Sequence, residues 1–322
     1  VVENFDLGQK ERMQALTSNV LILRTRVTLL AVVVSFLASV LLASKSFAVT
    51  VNTSTNKSIM SADMVPKEKD EKSTTLNASI DMSRSTSLYD HQDGSRSDSL
   101  DFRFTGIVGL PIGHTISTVI DYSNDLNDPE NTAAGLVDPS LKYSFKSRDW
   151  AWSAPYVLTF RPSLSTVIPV TKRSVDRDQL QGLLSGGIAF GIKPDGIYNS
   201  DGVWTVLVGL TAGRNFHKFE ENINGTVLNQ YSSNQSLDIA YDIAGFSFSV
   251  SYLHRTRWTY QGNIRDSFVL GQEIAYGLSD NFSINMGHSN EGSMIKANGY
   301  ESNLDVVDED NSSVYLGINA SI

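Results

Sequence analysis

The chain of 322 residues contains no cysteine. That excludes a disulfide framework, a zinc–thiolate centre and a thiol nucleophile together. Long apolar runs are almost missing as well. Mean hydropathy is −0.14 with 19% charged residues, and a helical membrane protein with several spans needs ~20 nearly uninterrupted apolar residues for each. An excess of basic charge is the third absence. Net charge is −9 and the isoelectric point about 5.0, which argues against nucleic acid as a partner. A β-barrel in a membrane survives all three exclusions, because its strands are apolar only at alternate positions.

One apolar run stands near the start. Arg24 and Arg26 precede Val27 to Leu42, and Ala43-Ser44-Lys45-Ser46-Phe47-Ala48 follows. A basic region, an apolar stretch and small residues at −3 and −1 of a cut after Ala48 predict a signal peptide over 1–48. The alternative is an uncleaved anchor, but the run is short for a span and holds Thr28, Ser35 and Ser39. Residues 1–12 read as an upstream extension of the gene model, with Met13 as the start. Residues 49–73, rich in Thr, Ser, Asn and Lys, read as a flexible periplasmic tail.

From Thr74 the pattern turns to period two, which in a strand means two different environments. Leu76, Ala78, Ile80 and Met82 alternate with Asn77, Ser79, Asp81 and Ser83, and Phe246, Phe248, Val250 and Tyr252 with Ser247, Ser249 and Ser251. The end of the chain places Val314, Leu316, Ile318, Ala320 and Ile322 opposite Gly317, Asn319 and Ser321. The Gly-rich stretch 180–193 is apolar on both faces and leaves its faces unassigned. Short links are expected at Pro111–Gly113, Lys146–Asp149, Asp242–Gly245 and Gly277–Asp280, with longer polar links near 89–98, 123–136, 169–180, 214–232, 256–266 and 289–311. Bacterial barrels have short periplasmic turns and long outer loops.

Aromatic residues follow the same division. Trp152, Trp204, Tyr241, Phe246, Tyr276 and Phe282 fall near short-turn ends, and Tyr122, Tyr252 and Phe268 near long-loop ends, as two interfacial girdles require. The fold expected over 74–322 is therefore all-β, a transmembrane up-and-down antiparallel β-barrel of about 12 strands in the cell outer membrane. The rival is an exported soluble all-β sandwich or barrel, in which the apolar faces would make a core.

Three phrases carry a resemblance. Gly135-Leu136-Val137-Asp138-Pro139-Ser140-Leu141-Lys142-Tyr143 resembles the phrase that begins strands in many porin-like outer-membrane barrels. Ala275-Tyr276-Gly277-Leu278-Ser279-Asp280-Asn281-Phe282-Ser283-Ile284 is similar to their strand–turn–strand units near the C-terminus. Pro169-Val170-Thr171-Lys172-Arg173-Ser174 resembles a strand-to-loop junction in outer-membrane transporters of the phenol-degradation MetA-pathway type. The resemblance implies a Gram-negative, porin-like barrel with outer-membrane lipid and lipopolysaccharide around it and the barrel-insertion machinery as a partner. Ile322 departs from it, since such barrels usually end on Phe or Trp.

The one catalytic-looking cluster is His288-Ser289-Asn290. A His can activate a Ser within a strand only from two residues away, where both share a face. His288 and Ser289 are adjacent, so His288 is expected outward and Ser289 inward. No enzyme, cofactor or metal site is predicted. The acidic outer loop with Glu291, Glu301, Asp305, Asp308, Glu309 and Asp310 reads as a solvated surface, with divalent-cation binding as the alternative.

Nine charged residues fall on inward faces and are the candidates to line the lumen: Asp81, Asp101, Arg103, Asp121, Lys142, Arg161, Asp238, Arg255 and Glu273. Buried charges of both signs must be hydrated or paired. A water-filled pore meets the first condition and predicts a channel or transporter for small solutes. A closed, paired lumen meets the second and predicts a structural or surface-interaction barrel acting through its outer loops.

Overall fold

The computed structural model describes residues 74–90, 96–127, 135–153, 156–194, 202–295, 301–308 and 311–322. The expected signal peptide and tail lie outside the described residues. Twelve antiparallel strands follow one another: β1 Thr75–Ser87, β2 Asp98–Gly109, β3 Thr115–Asp125, β4 in three pieces (Gly135–Leu136, Ser140–Ser144 and Arg148–Ser153), β5 Tyr156–Val167, β6 Leu180–Pro194, β7 Val203–His217, β8 Asn229–Ile243, β9 Phe246–Thr259, β10 Ile264–Gly277, β11 Phe282–Ser293 and β12 Ser312–Ser321. Each pairs with its sequence neighbours, and β1 pairs with β12 from Ser79↔Ser321 to Ser87↔Ser313. The sheet closes on itself and leaves no edge.

The alternation sets which way each side chain points. Ile80, Phe104 and Ile120 stand in one cross-strand row, and Asp81, Arg103 and Asp121 in the next. The apolar row faces out. Leu316 is 63% and Met286 59% exposed, whereas inward Ser247 is 0% and Glu273 8% exposed. This inverts the arrangement of a soluble barrel or sandwich and rules that rival out. An apolar outer belt on a closed, hydrogen-bond-complete sheet is a lipid-facing surface, the architecture of an outer-membrane barrel. The belt carries aromatic pairs near the short-turn ends, Trp204 with Tyr241 at 4.7 Å and Phe246 with Tyr276 at 4.6 Å between ring centroids. Phe268 departs from the girdle expected of it. It is 1% exposed, because the last outer loop folds against this patch, where Asn290 donates to the Asp305 carbonyl at 2.6 Å and the Tyr252 hydroxyl meets Met294 Sδ at 3.8 Å.

Two expected links are corrected. Lys146–Asp149 is no turn: β4 continues through Arg148–Ser153 against β5. Pro162 explains the interruption. Its carbonyl accepts from the Phe145 N–H at 3.0 Å, but it has no N–H to return, so the ladder slips by one residue and β4 bulges there. The stretch 256–266 is no long loop either. β9 and β10 run through it to a tight turn closed by Thr259 N–H to the Asn263 carbonyl at 2.9 Å. Strands β7 to β10 are 14 or 15 residues long, against ~9–11 for a tilted span. They stand well beyond the bilayer on the loop side. The unassigned stretch 180–193 also gains its faces: Leu184, Ile188 and Phe190 are outward and exposed, while Ser185, Gly187, Ala189 and Gly191 share the inward register.

Candidate functional site: the barrel lumen

All nine sequence-selected charges lie on inward registers, and the fold gathers them into separate groups. The first spans β1 to β3. Arg103 donates through Nε and Nη2 to the two carboxylate oxygens of Asp121 at 2.7 and 3.1 Å. Asp81 stands opposite Arg103 on the next strand, and Asn319 of β12 donates to its carboxylate. Asp101, one layer towards the loops, accepts from the Ser99 and Ser123 hydroxyls at 2.8 and 2.6 Å. This wall is acidic, with three carboxylates around one guanidinium.

Glu273 on β10 forms the second group. It is buried and its Oε2 accepts from Asn285 Nδ2 and from the Tyr315 hydroxyl, both at 2.8 Å. A buried carboxyl needs such donors. Tyr315 reaches it because Gly287, directly opposite on β11, has no side chain: a Cβ there would collide with the Tyr315 ring.

Lys142 and Arg161 occupy the facing wall on β4 and β5. Lys142 stands opposite Ser165 and Arg161 opposite Ala189. Around them many inward positions of β5 to β7 are small: Ser163, Ser165, Ser185, Gly187, Ala189, Gly209, Thr211 and Gly213. Small residues outnumber charged ones on this sector, where Arg161 projects, whereas Asp81, Asp101, Arg103, Asp121, Glu273, Asn285 and Asn319 share the inward registers of β1 to β3 and β10 to β12. Nearer the short turns, Lys193 and Asp149 pair at 3.1 Å.

Asp238 and Arg255 lie on β8 and β9, opposite Ser251 and Asn234 respectively. Arg255 donates to Glu291 at 3.1 Å. Two arginines beside it are not among the charges picked out by alternation: Arg257, two positions along, and Arg265, directly opposite Arg257 on β10. Parity with Arg255 is the signal that finds them, once 256–266 is read as strand.

His288 and Ser289 point to opposite faces of the wall. His288 stands between Gln272 and Val314 on the outward register, while the Ser289 hydroxyl meets that of Ser313 at 2.8 Å on the inward one. The pair is not placed for base-assisted nucleophilic attack. In the last loop Asp308 accepts from the backbone and side-chain amides of Asn311 at 3.0 and 2.7 Å, and no cluster of metal-ligating groups occurs among the described residues. Glu309 and Asp310 lie outside the described residues.

No family model matches the chain, and no curated protein matches it. Solved structures to which it is similar include an outer-membrane channel from Pseudomonas putida F1, at 11% identity and a TM-score of 0.49, covering 80% of this chain and 100% of that one. The NanC porin follows at 9% identity and 0.46, covering 75% and 98%, and the KdgM porin in complex with disordered oligogalacturonate at 9% and 0.36, covering 76% and 99%.

Proposed function

We propose that the protein is a porin-like channel or transporter that passes small solutes across the outer membrane. The observation that carries this reading is the asymmetry of the lumen wall. Charged and amide side chains on β1–β3 and β10–β12 lie across the barrel from a sector of β5–β7 rich in Ser, Thr, Gly and Ala, from which Arg161 projects, and the small side chains leave room for water to hydrate the charges. Delivery by a signal peptide over 1–48, assembly by the barrel-insertion machinery and contact with lipopolysaccharide belong to the same proposal, and so does a periplasmic tail over 49–73. No chemistry is assigned to the barrel itself.

A specific observation favours the second reading, a non-conducting barrel acting through its loops. Inward Ser247, Glu273 and Ala275 are all buried, so the lumen is packed along β9 and β10. Planar-bilayer recording of the refolded mature protein decides between the two. The channel reading expects stepwise currents, and Ala189→Trp, which fills the small-residue sector, should reduce unitary conductance roughly twofold or more. Silent bilayers from folded, heat-modifiable protein would overturn the channel in favour of the second reading.

A further inference from the structure

Four arginines elsewhere in the barrel are each matched with an aspartate: Arg84 with Asp98, Arg96 with Asp90, Arg103 with Asp121 and Arg177 with Asp178. The outer end of the β9–β10 hairpin breaks this habit. Arg257 and Arg265 stand directly opposite each other in the ladder, and Arg255 lies two positions along the same inward face. Like charges in a cross-strand pair destabilise it. Among the described residues the ion pair made here is Arg255 with Glu291, at 3.1 Å. Arg265 is further held by donation from Nη2 to the Val227 carbonyl at 3.5 Å.

Three guanidinium groups thus converge on one face with one bonded carboxylate. Ser232 and Asn234 of β8 stand opposite Arg257 and Arg255 and add hydroxyl and amide groups to the same surface. Guanidinium forks bind carboxylates in two-point fashion, and flanking hydroxyl and amide groups suit a hydroxylated body. The whole group sits on paired strand at the loop-side end of the barrel, so its donors are held by a hydrogen-bonded sheet.

We infer that the outer mouth contains a binding site for small carboxylate-bearing solutes, formed by Arg255, Arg257 and Arg265 with Ser232 and Asn234 at its side. The site names the solute class for the channel and rests on that reading for transport, but not for binding. A carboxylate takes the place of the missing counter-charge between Arg257 and Arg265. It relieves their mutual repulsion, and Glu291 leaves the group positive enough to attract a second anionic substituent.

The test uses the folded, detergent-solubilised barrel and two probes, citrate and gluconate, with glucose as the neutral control. Calorimetry should show both acids binding and glucose not. Arg257→Gln and Arg265→Gln should each weaken citrate at least tenfold, while Arg148→Gln, on the outward register of β4, leaves it unchanged. In bilayers, citrate added on the loop side should block wild-type current, and the two variants should relieve the block and shift the reversal potential in a salt gradient towards cations. Arg265 is exposed, so its variant tests the site even if Arg257→Gln fails to fold. Absence of citrate binding to the wild type, or equal binding by heat-modifiable Arg265→Gln, overturns the inference. Silent bilayers with intact citrate binding overturn the channel alone.

Discussion

Arg103 and Asp121 meet in register across β2 and β3, with the guanidinium donating to both carboxylate oxygens at 2.7 and 3.1 Å. Both side chains retain solvent contact, 44% and 30% exposed, so hydration screens the pair and its worth stays near ~1 kcal/mol. Geometry makes it reversible. Arg103→Asp places another carboxylate beside Asp81, Asp101 and Asp121 and should lower the urea midpoint of unfolding. Adding Asp121→Arg should restore at least half of the loss. A double variant no better than the single would show that the register contact contributes nothing.

The Tyr315 hydroxyl bonded to buried Glu273 gives a sharper expectation. Tyr315→Phe leaves the carboxyl with one donor fewer, at a cost of about 1–3 kcal/mol. Gly287→Ala should cost as much in the wild type, since its methyl displaces the Tyr315 ring. In a Tyr315→Ala background the same change should cost less, its remaining conflict being with the Gln272 carbonyl oxygen 2.7 Å from the added methyl. Additive losses in the double variant would mean that Gly287 serves something other than the ring.

The β8–β9 hairpin turns on Ala244 and Gly245, with φ of 51° and 83°. Two positive φ values in a two-residue hairpin define the turn type that favours Asn-Gly. Ala244 is strained there, as a side chain with a Cβ and no local hydrogen bond to offer. Ala244→Asn is expected to stabilise the barrel by about 0.5–1 kcal/mol and Gly245→Ala to destabilise it by a similar amount. Unfolding midpoints measured side by side check both signs.

Asp178 sits outside the membrane in the loop after β5, where Arg177 donates to it at 2.7 and 2.9 Å. Arg177 and then Asn222 hold its carboxyl below the usual carboxylate range. Asn222 belongs to the loop after β7, and the Ile223 N–H donates to the Arg177 carbonyl at 3.1 Å, so the charge helps join the two loops. A carboxyl with a lowered folded pKa contributes fully above its unfolded value and loses that contribution as pH falls through the folded one. Proteolytic nicking of these loops should therefore be unchanged from neutral pH down to about 4 and rise only below it. Asp178→Asn should nick faster at neutral pH and show no acid-dependent rise. A wild-type rise already at pH 6 would assign the junction to another group.

Much of this fold is legible in the sequence because a lipid-facing wall enforces strict alternation. Ile80 with Met82, and Phe246 with Phe248, could occupy only one face. The reading failed where that constraint lapses. At Lys146–Asp149 a polar run imitates a turn, while the cause of the irregularity, Pro162, lies on the neighbouring strand and shows only after pairing. At Thr256–Asp266 the strands have left the bilayer, so no apolar face is required and the run resembles a loop. That misreading hid Arg257 and Arg265, though Arg255 beside them was visible. The stretch 180–193 was ambiguous for the opposite reason: its lumen face carries Gly187, Ala189 and Gly191, too small to announce a polar environment.

The length of β7 to β10 has a kinetic consequence. Their ladder continues past the lipid, so one side of the entrance is a fixed palisade. Side chains mounted on paired strand have already given up most of their conformational freedom, so engaging a visitor there costs little further ordering. Such an entrance can capture and release quickly, its selectivity set by where the rigid groups stand and its throughput not limited by loops that must first close.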